Sequence, residues 1–323
     1  QRTMLTAFGF RPGHPIEVMT DFDQLDEIYQ HPDSLVWVDL EAATDEELRR
    51  LDTIVNVDDT SLDACLEGEH RQRVDEFDDH LFLLLYGVLS PQEDPTFAPR
   101  KLAAFCGQRF LVTIHPDRHR SIDALRSRFP HHGAHLMNKG VDFVLYTIID
   151  SIVDNYAIAL TSFDARLEEI EEQTVEGDGD PLDGSTSLLR REMLELRRLA
   201  VAQREVLGPL ARGECDYIAE DLGRRFSHIV SHLTKVIELT DSLREILSSV
   251  RESAMAVLQR RTNEIIRTLT IFASILLPLS LIAGIYGMNL ATWPSMHHPW
   301  GFWGVLGFMG LVATSLGLFF WSR

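Results

Sequence analysis

The segment GIYGMNL, residues 284–290, places oxygen-bearing groups at the end of a long apolar run. Asn289 offers an amide oxygen, and Gly287 offers a backbone carbonyl that no side chain obstructs. Hard cations such as Mg²⁺ and Ca²⁺ prefer oxygen partners, so neutral oxygens could contact such an ion or the water around it. Asn and Gly also commonly end ordinary helices. On residue types alone, cation contact and helix capping are equally good interpretations of this segment.

A second candidate is the pair His228 and His232, which lie four residues apart and would share one helix face. Neutral imidazole binds Zn²⁺, Ni²⁺ or Co²⁺ in preference to Mg²⁺. Histidines on a solvated helix face more often bind nothing, and this interpretation stays open.

Two uncharged segments must position these residues, one over 269–288 and one over 300–321. Each has the roughly 20 residues that a helix needs to cross a bilayer. We therefore predict two transmembrane helices joined by an extracytoplasmic loop over 289–299. Basic residues favour the cytoplasmic side, and they flank only the outer ends of the spans, at Arg251, Arg260, Arg261, Arg267 and Arg323. We expect a multi-pass protein of the inner (cytoplasmic) membrane with both termini in the cytoplasm.

The preceding residues predict a cytosolic part with three regions. Residues 1–140 read as an α/β domain, a mixed sheet flanked by helices. Its predicted strands lie at 4–10, 34–40, 80–89, 101–107 and 109–115, with acidic helices at 21–30 and 44–54 and a proline-marked loop at Pro91, Pro95 and Pro99. Residues 141–215 predict a helical hairpin that turns at GDGDPLDG (177–184). Residues 216–268 predict a very long stalk helix that runs into the first span, together about 100 Å of helix.

The charge balance, 30 basic against 49 acidic residues and a net charge of −19, argues against a nucleic-acid partner. It suits attraction of cations. The sequence contains no P-loop, GxSxG or HExxH motif, so we expect neither ATP use nor an enzyme. Cys65, Cys106 and Cys215 form no CxxC pair, which predicts reduced thiols.

With two terminal spans and a long stalk, YGMN (286–289) resembles the signature of the CorA family of divalent metal ion (Mg/Co) transporters. The likeness extends through TNEIIRTLTIFASILLPLSLIAGIYGMN (262–289), LYTIIDSIVDNY (145–156) and the helical hairpin. The resemblance implies a homopentameric funnel whose first spans line the pore in the lipid bilayer. It also implies passive Mg²⁺ influx driven by the membrane potential, with Co²⁺ or Ni²⁺ tolerated.

One helical face fits this resemblance, because its residues recur at steps of three and four: Asn263, Ile266, Thr270, Ala273, Leu277, Ser280 and Gly284. A face of small residues can also merely pack helices. The resemblance places the pore lining at Asn263, Ile266, Leu269, Leu277, Ser280 and Gly284. It places the ion entry and selectivity ring at Tyr286, Gly287, Met288 and Asn289.

The resemblance further implies that cytosolic Mg²⁺ bridges acids of adjacent subunits and holds the pore shut. Candidate acids are Asp75, Asp78, Asp79, Asp150 and Asp154, and His228 and His232 stand where the family pattern predicts an acid in the stalk. The outer loop has His297 and His298 but no carboxylate. A ZntB-like zinc transporter of the same family is therefore one alternative, although the complete GIYGMN favours Mg²⁺/Co²⁺. A membrane-anchored cytosolic metal sensor or scaffold without transport is the other.

Overall fold

The computed structural model describes residues 4–66, 71–89, 97–176, 184–287 and 300–321. The chain forms two compact units, Gln1–Val250 and Arg251–Arg323. The strands are β1 (Met4–Phe10), β2 (Glu17–Met19), β3 (Leu35–Glu41), β4 (Arg73–Glu76), β5 (His80–Val88), β6 (Pro99–Gly107) and β7 (Phe110–His115). The helices are α1 (Phe22–Tyr29), α2 (Asp45–Val55), α3 (Asp59–Leu66), α4 (Arg120–Met137), α5 (Val141–Glu176), α6 (Gly184–Arg212), α7 (Glu220–Gly287) and α8 (Gly301–Trp321).

The strands of the first unit form one sheet in the order β2-β1-β3-β7-β6-β5-β4. β3 and β7 pair in parallel and the other described pairs are antiparallel, so the mixed sheet is confirmed. The five predicted strands correspond to β1, β3, β5, β6 and β7. The short edge strands β2 and β4 were not predicted. Pro99, which was predicted to lie in a loop, is the first residue of β6, a position where a strand tolerates the missing N–H.

Helices cover both faces of this sheet, because its strands alternate apolar side chains between two cores. On one face, Trp37 and Leu111 pack in a cluster with Phe129 of α4 and Ile148 of α5. On the other face, strand residues pack against α1, α2 and α3 in a cluster that includes Leu25, Leu51, Leu62, Phe82 and Val112. The sheet is therefore buried on both sides, which explains its nearly continuous apolar strands.

The helix α4 has no strong sequence signal, since Pro130 lies inside it and the side chain of its N-cap residue, His119, makes no capping hydrogen bond. Its buried stripe nevertheless has helical spacing: Ile122, Leu125, Phe129, Gly133 and Met137. The phenyl ring of Phe129 occupies the space beside Gly133, so a larger residue there would collide with it. Tertiary packing, rather than local propensity, holds this helix.

The hairpin of α5 and α6 is present, and ion pairs join its helices to each other and to α7. Arg166 of α5 pairs with the buried Glu192 of α6. Arg197 of α6 donates to Asp241 of α7 at 2.8 Å. α7 continues for 68 residues and contains Pro278. The predicted class, an α/β part with a hairpin, a long helix and a C-terminal helix, is therefore confirmed.

The second unit consists of the end of α7 and α8, and its apolar side chains are exposed. Leu277 is 71% exposed and Trp321 is 88% exposed. In the described part of the chain, three helices are long and apolar enough to cross a membrane: α5 over Val141–Thr174, α7 and α8. The most apolar window of α5 is 61% buried inside the protein, whereas those of α7 and α8 are not buried at all. α5 is thus a core helix, and α7 and α8 present apolar surface of the kind that lipid or another helix covers.

All three cysteines are unpaired and buried. Burial raises the pKa of the Cys65 thiol to about 12 and that of Cys215 to about 11. Burial also raises the pKa of Cys106. The three thiols are therefore protonated at neutral pH.

Candidate functional site

The predicted pore-lining residues lie along one face of α7 and are exposed in the single chain. The apolar members Ile266, Leu269 and Leu277 are 54%, 68% and 71% exposed. Asn263, Ser280 and Gly284 are exposed as well. These side chains bury little surface within their own chain. Exposed apolar surface of this kind is typical of a face that contacts lipid or another protein chain.

The hydroxyl groups on this face satisfy their own donors within the helix. Ser280 Oγ donates to the carbonyl of Leu276 at 2.6 Å, and Thr270 Oγ1 donates to the carbonyl of Ile266 at 2.7 Å. The proton of each hydroxyl is therefore occupied, and the oxygen lone pairs remain as acceptors. A row of such oxygens can contact a cation or the water around it.

The signature segment lies partly within the described chain. Tyr286 and Gly287 form the end of α7, whereas Met288 and Asn289 lie outside the described residues. Among the described residues, nothing lies within 4 Å of a side-chain carbon built at Gly284 or Gly287. Packing against the described part of the chain therefore does not require either glycine.

The candidate acids Asp75, Asp78 and Asp79 lie together on β4 and in the turn to β5. Asp75 pairs with Arg73 at 2.9 Å. The carbonyl of Asp78 accepts a hydrogen bond from the Tyr217 hydroxyl. Asp79 accepts from the Asn56 amide at 2.7 Å, and this bond is the main reason why its pKa is lowered. The turn is acidic, but most of its carboxylates already have partners in the same chain.

The second group of candidates lies where α5 packs on α7. The rings of His228 and His232 are 6.4 Å apart, as their spacing predicts. Burial, and then the negative charge of Asp154, raise the pKa of Asp150, while the charge of His232 acts in the opposite direction. Asp154 and His232 are therefore near enough for their charges to act on Asp150.

A cation that sequence reasoning missed lies beside this group. The guanidinium of Arg225 stacks over the rings of Phe143, at 5.4 Å, and Tyr146, at 5.9 Å. Burial, and then the negative charge of Asp150, raise the pKa of the Tyr146 hydroxyl, while Arg225 acts in the opposite direction. Only the packing of α5 against α7 reveals this neighbour. Within the described residues, no three His, Cys, Asp or Glu side chains converge as they would around a metal ion.

Comparison with known proteins places these features in a family context. A family model described as "CorA-like Mg2+ transporter protein" matches residues 32–323. The "Cobalt/magnesium transport protein CorA" of Thermotoga maritima is 27% identical over 259 residues, which cover 80% of this chain and 74% of that protein. The "Zinc transport protein ZntB" of Yersinia enterocolitica is 25% identical over 299 residues, covering 91% and 84%.

The fold has a matching solved structure, that of the CorA magnesium transporter from Methanocaldococcus jannaschii. The two chains align with a TM-score of 0.86 and 24% sequence identity, covering 98% of this chain and 96% of the other. The likeness shows that the chain has the fold of that protein.

Proposed function

Because the chain belongs to the family of CorA-like Mg²⁺ transporter proteins, we propose that this divalent cation transporter mediates passive entry of Mg²⁺, driven by the membrane potential. Co²⁺ and Ni²⁺ pass by the same route. The observation that carries the proposal is the exposed stripe on α7, which combines oxygen acceptors with apolar side chains and leads into the YGMN sequence. No motif for ATP use occurs in the sequence, so transport is downhill.

The pathway forms only on assembly, because two spans cannot enclose a pore. Five copies, each contributing α7 to the pore and α8 to an outer ring, would bring the exposed stripes together. The exposed apolar side chains of both helices then face either a neighbouring copy or lipid. Both termini lie in the cytoplasm, since the arginines flank only the outer ends of the spans.

Selection begins at the ring of Tyr286, Gly287, Met288 and Asn289. Mg²⁺ exchanges its water reluctantly, and amide and carbonyl oxygens can hold the hydrated ion without removing that water. Gly287 is exposed in the single chain and has no side chain of its own to cover its carbonyl. Below the ring, the lone pairs of Ser280 and the amide of Asn263 guide the ion. Ile266, Leu269 and Leu277 form apolar rings that close the pore by excluding water.

Cytosolic divalent cations regulate the pore by binding between subunits. The candidate ligands are Asp75, Asp78 and Asp79 on the β4–β5 turn, and Asp150, Asp154, His228 and His232 at the α5–α7 contact. Among the described residues of one chain, no three His, Cys, Asp or Glu side chains lie close enough to bind one metal ion. A site between two copies would take some of its ligands from each copy. The two imidazoles would bias the second site toward transition metals.

The test is cation uptake into proteoliposomes with an inside-negative potential, with Mg²⁺, Co²⁺ and Zn²⁺ offered separately. We expect Mg²⁺ and Co²⁺ entry that Asn289→Ala strongly reduces. Asn138→Ala, which removes an amide from the C-terminal end of α4, should leave uptake unchanged. Normal uptake by Asn289→Ala would reject the entry ring.

A second candidate function is zinc transport, favoured by the likeness to ZntB and by the histidines of the outer loop. Zn²⁺ uptake with little Mg²⁺ uptake would establish it and would make His297 and His298 the next residues to replace. A monomeric protein that carries no ion would instead support the membrane-anchored sensor.

A further inference from the structure

We propose that α4 carries a binding site for a divalent transition metal ion, formed by the imidazoles of His131 and His135 with water in the remaining coordination positions. This site lies in the first unit and is separate from the residues assigned to ion passage and its regulation. The proposal does not depend on transport, because it concerns equilibrium binding to the protein.

The two histidines lie on the outer face of α4. The helix buries the stripe that contains Phe129 and Gly133. At about 100° per residue, His131 lies on the opposite side from that stripe, and His135 lies about 40° from His131. Both side chains are exposed. They therefore project into solvent next to each other, one helical turn apart.

The spacing suits chelation by two nitrogen atoms. Side chains four residues apart on a helix have Cβ atoms about 5–6 Å apart, and a pair of histidines at this spacing is the arrangement by which one helix binds Zn²⁺ in HExxH proteins. The pair His228 and His232 has the same spacing in this chain, and its rings lie 6.4 Å apart. Exposed imidazoles can close the remaining distance by rotamer changes.

Neither ring is engaged elsewhere in the described part of the chain. His131 and His135 have no hydrogen bond or ion pair there, so their nitrogen atoms remain available as ligands. The neighbouring His132 differs, since its Nδ1 lies 3.4 Å from the carbonyl oxygen of Arg128. No third His, Cys, Asp or Glu converges on the pair among the described residues, so water must complete the coordination.

The nearest cations on the same helix face are turned away from the pair. Arg128 Nε donates to the carbonyl of Ala124 at 2.9 Å, toward the start of α4. The ammonium of Lys139 lies 4.3 Å from the centre of the Phe143 ring. Repulsion of a metal ion is therefore reduced. Nitrogen ligands select Ni²⁺, Cu²⁺, Zn²⁺ and Co²⁺, and do not suit Mg²⁺.

The test is equilibrium dialysis of the full-length protein in detergent against Ni²⁺, with a large excess of Mg²⁺ to occupy sites built from oxygen. We expect the double variant His131→Ala/His135→Ala to lose one Ni²⁺ per chain. Each single variant should raise the dissociation constant for that ion at least about tenfold, because a chelate loses one of its two ligands.

His132→Ala is the matched control, since it removes an exposed imidazole from the same turn, and it should retain the full number of ions. His228→Ala should also retain the ion bound at α4. Alanine favours the helix and leaves the buried stripe intact, so thermal unfolding should not change. An unchanged Ni²⁺ count in the double variant, or an equal loss in His132→Ala, would overturn the proposal.

Discussion

Replacing Arg126 with methionine should destabilise the first unit, because Arg126 compensates a carboxylate that has no access to water. Asp39 is fully buried. It accepts hydrogen bonds from Thr113 Oγ1 at 2.7 Å and from Arg126 Nη1 at 3.3 Å, and His115 Nε2 lies 3.2 Å away. Methionine keeps most of the apolar stem of arginine and removes its charge, so the variant isolates the electrostatic contribution.

Removal of one partner from a buried ion pair costs about 3–5 kcal/mol. We expect the lower end, about 3 kcal/mol, since Thr113 and His115 still face Asp39. Burial by itself lowers the pKa of His115, but the hydrogen bond and charge of Asp39 outweigh it and raise the pKa above 6.5. A raised histidine pKa stabilises the fold at low pH, and this contribution is lost as the pH rises through that pKa. The cost of Arg126→Met should therefore grow from about pH 6 to about pH 8.

The assay is a guanidinium titration of the full-length protein in detergent, with unfolding followed by hydrogen exchange of peptides from β3 and β7. Arg198→Met is the control, because Arg198 is 69% exposed in its pair with Glu195 and should cost less than about 1 kcal/mol. Equal costs for the two variants, or a cost for Arg126→Met that shrinks as the pH rises, would refute the reasoning.

Three further predictions follow from buried or exposed single groups. Burial lowers the pKa of His119 to about 3, so the free energy of unfolding should fall as the pH drops from about 6.5 toward 3, and acid titration of His119→Leu should show a flatter decline. The Tyr156 hydroxyl donates to the Tyr86 carbonyl at 2.6 Å and lies 2.9 Å from the Gln203 amide; Tyr156→Phe should cost about 1–3 kcal/mol in denaturant titrations. Leu277→Ala should raise Mg²⁺ uptake into proteoliposomes several-fold at high internal Mg²⁺, and unchanged uptake would contradict its place in the pore.

The elements that sequence reasoning found are those whose signal is local. The central strands are long runs of β-branched and aromatic residues, and α7 is long and periodic. β2 and β4 were missed because three or four residues cannot display a period. The helix α4 was missed because Pro130 interrupts it, and only the sheet beneath explains why it persists. Short edge strands, and helices that are stabilised mainly by packing, can be predicted only when the elements they pack against are known.

At the candidate site too, the sequence predicted local features and did not predict contacts between distant segments. Periodicity predicted that Asn263, Ile266, Leu277, Ser280 and Gly284 share one face of α7, because helical spacing determines which side chains lie together. Their proposed role as a pore lining, and the place of Leu269 among them, came from the family resemblance. Periodicity could not reveal that Ser280 uses its proton within the helix, or that Arg225 lies beside Tyr146 at the α5–α7 contact. The sequence also did not predict that Asp79 accepts a hydrogen bond from Asn56, a residue 23 positions away. Partners that come from distant segments determine how a charged residue behaves.

The three buried thiols make the chain a natural background for site-directed labelling. With a pKa of about 12, fewer than about one Cys65 side chain in ten thousand is ionised at neutral pH. Maleimide dyes and nitroxide spin labels react with thiolates, so the native cysteines should remain unlabelled under mild conditions. A single cysteine introduced at an exposed position of α7, such as Glu252, would then report distances between copies without prior removal of Cys65, Cys106 or Cys215. The number of labels in an assembly would then give its number of copies, without any native cysteine having been replaced.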